Sequence, residues 1–250
     1  MTIHEFGKEN TEKILLIHPS VVRWDYFESV IPLLEKEYHL IIPALPGYDL
    51  ETESDFTSVE QIADELNLWL KKNGYARLYA VYGCSMGGSI ALMVALGNRV
   101  RIDHCVMDGG ITPYQLPWIV TRLIAVRDFA MVMLGKWGGV KLLKKVFSAD
   151  DYSEESIQYA ADVLKRSSRK TLWRTFDSCN NYKVPNPVPK VRAKIHYWYA
   201  DGEEKERAWD IKYMKKKFPK TEVKILPKLG HAGLVLLKPE LFADMVKELK

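Results

Sequence analysis

Short, nearly continuous apolar runs alternate along this chain with segments of helical period, and that alternation most restricts what it can fold into. The runs fall at residues 13–18, 39–43, 77–82, 103–107, 194–200 and 221–226. Stretches such as Ile14-Leu15-Leu16-Ile17 and Ile195-His196-Tyr197-Trp198-Tyr199 leave almost no polar side for water, as expected of strands covered on both faces. Between them, residues 59–73 place Val59, Ile62, Ala63, Leu66 and Leu70 on one helical stripe. Thr57, followed three residues later by Glu60, is a start signal for that helix, and Gly74 is a stop. Residues 239–250 repeat the design, with proline in the first turn and Leu241, Met245 and Leu249 along one face. Strand and helix in turn predict an α/β fold, a mostly parallel sheet flanked by helices. Residues 3–6 are expected to add an antiparallel edge strand.

The alternation stops between about Thr112 and Val191. This stretch reads as mostly helical and is rich in large apolar side chains, among them Trp118, Leu123, Phe129, Met131, Met133 and Trp137. It ends in a proline cluster, Pro185, Pro187 and Pro189, that suits a return linker. We expect residues 1–111 and 191–250 to form the core domain and 112–190 a helical insertion.

At 250 residues the chain can bury one sizeable core. A net charge of +4, with lysines scattered and densest at Lys215-Lys216-Lys217, reads as solvated helix surface rather than a nucleic-acid patch. Cys84, Cys105 and Cys179 make an odd count without metal-ligand or CxxC spacing, which points to a reducing compartment. No basic segment leads into an apolar run at the start, and no stretch reaches the ~18 uninterrupted apolar residues of a membrane span. The expectation is a cytoplasmic soluble protein with a small-molecule partner and no nucleic acid or membrane.

The strongest local signal is Gly83-Cys84-Ser85-Met86-Gly87, between the run at 77–82 and the apolar helical segment at 89–96. A serine at the tip of so sharp a strand–turn–helix needs strained backbone angles, and side chains two residues away on either side would collide. Gly83 and Gly87 remove those side chains, and Gly88 lets the helix approach the sheet. The turn offers the hydroxyl as a nucleophile while the first N–H groups of the helix, that of Met86 included, face the same spot as oxyanion donors. Such a serine needs a base. Of six histidines, His231 alone sits between flexible glycines, in Leu229-Gly230-His231-Ala232-Gly233, a loop between the last strand and the last helix.

These pieces, with His18-Pro19-Ser20, Leu45-Pro46-Gly47-Tyr48 and Asp108-Gly109-Gly110 in their order, resemble the α/β-hydrolase superfamily over nearly the whole chain. The resemblance implies a triad running nucleophile, acid, histidine: Ser85, an acid just after the strand at 194–200, and His231. Counting from Ala200, where the family more often has glycine, the acid falls on Glu203, with Asp201 and then Glu204 as alternatives. Asp108 follows a different strand, and its Asp-Gly-Gly context reads as a loop shaping the pocket. The second oxyanion donor is implied at Ser20, because Pro19 has no N–H, with Val21 as the fallback. His18 is expected to order that loop. The insertion would form a lid over Ser85, its aromatic and methionine side chains either lining an apolar pocket or packing on one another; Trp118 is the candidate substrate contact. The implied activity is hydrolysis of a carboxylic ester or related acyl bond, with no metal or other cofactor. Thioester, acyl-transfer and carbon–carbon bond chemistry remain open, as does a small-molecule receptor with little turnover.

Overall fold

The computed structural model describes residues 1–49, 51–114, 116–146 and 153–249; Leu50, Gln115, residues 147–152 and Lys250 lie outside them. In chain order the elements are β1 (Thr2–Phe6), β2 (Lys13–Ile17), α1 (Ile31–Leu34), β3 (His39–Ala44), α2 (Val59–Lys72), β4 (Arg77–Cys84), α3 (Met86–Leu96), β5 (Arg101–Asp108), α4 (Trp118–Val146), α5 (Glu154–Arg166), α6 (Arg169–Asn181), β6 (Lys194–Ala200), α7 (Glu204–Lys217), β7 (Glu222–Leu226), α8 (Gly233–Leu237) and α9 (Pro239–Lys247). The strands make one sheet in the order β1-β3-β2-β4-β5-β6-β7. The expected edge strand, β1, runs antiparallel to β3, and the remaining pairs are parallel.

Period-two alternation explains why the strands are apolar throughout. In β2, Leu15 and Ile17 face the layer built by α2 and α3, while Ile14 and Leu16 face the opposite layer with α1 and α9. All four are fully buried, each contributing on the order of 1.5–3 kcal/mol. In α2 the buried positions are Val59, Ile62, Ala63, Leu66, Asn67 and Leu70, the predicted stripe with one asparagine added. Asn67 pays its way with a hydrogen bond to the Val94 carbonyl, 3.2 Å. The start of α2 differs from the expectation by one residue. Ser58, not Thr57, is the cap: its backbone is extended and its hydroxyl accepts from the Gln61 N–H at 3.1 Å. Gly74 ends the helix as expected, at φ +76°, where a left-handed residue lets the Tyr75 N–H reach back to the Leu70 carbonyl.

Helices α4–α6 form the insertion between β5 and β6. Met133, Leu143, Ile157, Leu164 and Leu172 give it a small core of its own. Lys136 donates to three carbonyls at the end of α5, those of Leu164, Lys165 and Ser167. The insertion is not isolated from the sheet layers. Cys179 of α6 belongs to the main core, the Ser178 hydroxyl accepts from the Val59 N–H at 2.8 Å, and Thr175 pairs with the Tyr48 hydroxyl at 2.9 Å. α4 bends at Gly139, whose φ of +56° interrupts the helix. Among the described residues, no helix is long and apolar enough to cross a membrane.

Candidate active site

The chain moves from β2 to β3 on one side of the sheet and from β4 outward to β7 on the other, so β2 and β4 flank the switch point. Loops at the carboxyl ends of such neighbouring strands diverge and leave a crevice. Ser85 follows β4 directly, and the segment from His18 to Val21 follows β2.

Ser85 has φ +51° and ψ −117°, a conformation that costs a non-glycine residue roughly 1–3 kcal/mol. Backbone contacts hold it there. Its N–H donates to the Asp108 carbonyl at 2.8 Å, and its own carbonyl accepts from Gly88 and Ser89. The glycines are sterically required. A Cβ on Gly83 would lie 2.0 Å from the Gly87 oxygen, and one on Gly87 would lie 2.2 Å from the Ile17 oxygen. The second of these close approaches brings the first turn of α3, where Met86 lies, against the end of β2 and the start of the Ser20 loop. The first N–H groups of a helix have no partner inside it, so this is where an oxyanion donor is available.

His18 orders that loop. Its Nδ1 donates to the Pro19 carbonyl at 2.8 Å and its Nε2 accepts from the Leu45 N–H at 3.3 Å, tying the loop after β2 to the loop after β3. Burial lowers its pKa to about 4, which keeps it neutral and suits a ring whose Nε2 must accept. Beyond Ser20, Val21 takes φ +65° and packs on the core of the insertion. Tyr159 of α5 secures the same segment: its oxygen accepts from the Arg23 N–H at 2.9 Å and its O–H donates to Asp25. The Arg23 guanidinium lies 5.1 Å over the Tyr159 ring and pairs with Asp25 at 2.5 Å.

On the other side of Ser85, the short 3-10 turn Asp201–Glu203 leads from β6 into α7. It points the two candidate acids in different directions. Glu203 is buried, and its Oε1 accepts from His231 Nδ1 at 2.5 Å. Asp201 is exposed and accepts from the backbone N–H of Lys228 at 3.0 Å, so it holds the backbone of the His231 loop rather than the ring. Glu204 is exposed at the start of α7. Burial alone would raise the Glu203 pKa, but the His231 hydrogen bond and the nearby Arg207 hold it below the ordinary value.

Gly109 joins the two halves. With φ +55°, it lies so close that a Cβ there would be 3.2 Å from His231 Nδ1 and 3.3 Å from Glu203 Oε2. Its neighbour Asp108 supplies the carbonyl that holds Ser85. The dipeptide Asp108-Gly109 thus separates Ser85 from the Glu203–His231 pair by one strand end. The Asp108 carboxylate takes no place in that pair; it accepts from the Tyr82 hydroxyl at 2.6 Å. Burial pushes its pKa up to about 6, the Tyr82 hydrogen bond works against this, and the Glu203 charge adds to it.

Sequence reading did not single out Arg207, Asp210 or Tyr26. Arg207 Nε lies 3.4 Å from Glu203, and its guanidinium also pairs with Asp210 at 3.1 Å. Asp210 in turn accepts from both the N–H and the hydroxyl of Thr112. The Tyr26 hydroxyl donates to the Ala232 carbonyl, next to His231. The signal for the first two was present as spacing, since Glu203, Arg207 and Asp210 fall on one helical face; Tyr26 left no such trace. Trp118 stands at the start of α4, 68% exposed, with the Arg122 guanidinium 5.4 Å over its ring. Of the insertion's other large side chains, Met133 packs into its own core and Phe129 sits edge-on to Trp173. A cavity of about 150 Å³ beneath α5 has Arg23, Tyr48, Tyr159 and Arg166 in its wall, but not Ser85 or His231. The site is therefore assigned from strand ends and side-chain chemistry, not from cavity volume.

A model of the alpha/beta hydrolase family matches residues 14–245. In sequence, the chain is 28% identical over 108 residues to an uncharacterized hydrolase of Saccharomyces cerevisiae. That match takes in 42% of this chain and 37% of the yeast protein, so the chain spans little more than a third of the relative's length. In structure, it is similar to an alpha/beta hydrolase family protein from Desulfitobacterium hafniense, with a TM-score of 0.79 at 21% identity over 99% of each chain. It is also similar to an esterase from Exiguobacterium antarcticum, with a TM-score of 0.78 at 16% identity over 98% of this chain and 95% of the other.

Proposed function

The chain belongs to the alpha/beta hydrolase family, and from that premise we propose that it is a serine hydrolase acting on a carboxylic ester or related acyl bond of a modest-sized, partly apolar substrate. The observation that carries this reading is the 2.5 Å hydrogen bond from His231 to Glu203, beside a serine in a strained turn at the next strand end but one. A carboxylate on Nδ1 sets the tautomer in which Nε2 is the proton acceptor and stabilises the imidazolium that results. In this reading Ser85 Oγ attacks the substrate carbonyl, and His231 takes the hydroxyl proton. The N–H groups of Met86 and Ser20 hold the oxyanion. His231 then protonates the leaving group, and water, activated by the same imidazole, releases the acyl group from Ser85. Trp118, exposed at the start of α4 beside Arg122, is the side chain of the insertion that this reading offers as a substrate contact.

A fluorophosphonate probe tests this directly. Wild type should be labelled in a single-exponential reaction, and Ser85→Ala should not be labelled while keeping the same circular dichroism spectrum. Folded wild-type protein that resists the probe and turns over no short-chain p-nitrophenyl ester would remove the hydrolase reading and favour a binding protein on the same scaffold.

A further inference from the structure

Three acceptors from separate parts of the site converge on one guanidinium. Arg207, in the first turn of α7, donates from Nη1 to the Gly109 carbonyl at 3.3 Å and to Asp210 Oδ2 at 3.1 Å. Its Nε lies 3.4 Å from Glu203 Oε1, the same oxygen that accepts from His231 Nδ1. The side chains of Arg207, Glu203 and Asp210 are 16%, 10% and 7% exposed, so little water screens these charges from one another.

An arginine that only fastens two segments together usually presents two parallel N–H groups to one carboxylate. Arg207 does not. Its Nε is buried and has no hydrogen-bond partner among the described residues, so it meets Glu203 as a charge while His231 holds the hydrogen bond. A buried donor left unpaired lowers stability and calls for a reason beyond packing. The same side chain also spans the site. Gly109 follows the Asp108 carbonyl that holds the Ser85 N–H. Asp210 takes both the N–H and the hydroxyl of Thr112, at 2.7 Å and 2.8 Å, just past the end of β5 on the way to the insertion.

We infer that Arg207 is a positioning residue for the proposed acid. Shared between Glu203 and Asp210, its charge limits how strongly Glu203 favours a proton on His231, and its reach to Gly109 keeps the acid aligned with the strand end that holds Ser85. This role presupposes the hydrolase reading of Ser85, Glu203 and His231. A cation beside Glu203 disfavours the imidazolium, and the Asp210 carboxylate blunts that cation. Removing Arg207 and removing Asp210 therefore act in opposite directions. The ionisable groups that also feel this pair are Asp108 of β5, Tyr197 of β6, Cys84 of β4 and Tyr114 after β5. Burial pushes the last three up, so they stay neutral. Asp108 is common to all the variants below, so differences between them report Arg207 and Asp210.

The pH profile of kcat/KM for p-nitrophenyl butyrate tests this in the full-length protein, because its acidic limb marks where the base of the free enzyme gains its proton. Arg207→Met keeps most of the stem and removes the charge. The limb should move to higher pH by about half a unit to one unit, with kcat down about tenfold and KM within about twofold of wild type. Asp210→Asn, whose amide oxygen can still accept from Thr112, should move the limb to lower pH. Arg207→Lys should return the limb toward wild type while kcat recovers only in part, since an ammonium carries the charge without the planar fork. Circular dichroism checks each fold, and if Arg207→Met does not fold, the direction of the Asp210→Asn shift still decides. Folded variants whose limbs stay within about 0.2 unit of wild type, or move in the same direction, would overturn the inference and leave Arg207 a structural residue. Wild type that hydrolyses no ester would instead remove the hydrolase reading, and this role with it.

Discussion

Replacing Glu203 by glutamine removes a charge while nearly preserving shape, and its effect on turnover can be worked out from the contacts it breaks. The carboxylate sits 2.5 Å from His231 Nδ1 with its side chain 10% exposed, so little water is at hand to replace it. An amide can offer its NH2 to Nδ1, which moves the ring proton to Nε2 and closes the position meant to accept from Ser85. It also leaves the imidazolium without a counter-ion. In serine triads the corresponding amide substitution lowers kcat about 10⁴-fold, or about 5.5 kcal/mol. Arg207, 3.4 Å from the same oxygen, already draws off part of that negative charge. We therefore expect a loss of roughly 10³–10⁴-fold in kcat. Folding should survive, because Arg207 keeps Asp210 as a partner, with a stability loss of about 1–2 kcal/mol. Asp201→Asn is the control. The amide oxygen can still accept from Lys228, and kcat should stay within about threefold of wild type. The assay is p-nitrophenyl butyrate hydrolysis under saturating substrate, with urea denaturation to check each fold. If Glu203→Gln stays within tenfold of wild type, or Asp201→Asn falls further than it does, the acid has been placed on the wrong residue.

Asp108 and Tyr159 yield two further predictions. The Asp108 pKa is raised to about 6, so its stabilising contribution is full below the unfolded value and is lost as pH rises through about 6. Asp108→Asn, which cannot ionise, should therefore gain on wild type by up to about 3 kcal/mol between pH 4 and pH 7 in urea denaturation; a pH-independent difference would refute this. Tyr159→Phe deletes the hydroxyl that accepts from Arg23 and donates to Asp25, loosening the segment just after Ser20. It should lower kcat about five- to tenfold while KM changes less than twofold, with about 1–2 kcal/mol lost in stability. An unchanged kcat, or a loss confined to KM, would show that the tie does not serve the oxyanion donors.

Most of the sheet was legible because its cause is local. A strand covered on both faces must be apolar through its middle, and Ile14–Ile17 of β2, Leu40–Ile42 of β3 and Tyr197–Ala200 of β6 are. The serine turn was legible for the same reason. Gly83 and Gly87 stand where any Cβ would overlap backbone atoms, so the steric demand is written in the residues themselves. The cap of α2 was misplaced because Thr57 and Ser58 are adjacent residues of the same capping chemistry, and only the backbone path shows which hydroxyl meets Gln61.

Tertiary structure decided what depends on direction and on distant partners. Asp201, Glu203 and Glu204 carry the same charge within four residues, and the pitch of the short turn after β6 aims only Glu203 at His231. Asp108 joins Tyr82, and Arg207 joins both Glu203 and Asp210, through contacts that no run of neighbouring residues encodes. The pattern of α4 says that the helix is apolar on both sides; which side the chain itself covers is set by how α5 and α6 pack against it. Short-range sterics and hydrophobic period are properties of a segment, so the sequence determined the layers and the sharp turn at Ser85. A hydrogen bond between strand ends is a property of the folded arrangement, so which of the three carboxylates meets His231, ordered in the sequence only by resemblance, and which face of α4 stays exposed are seen only there.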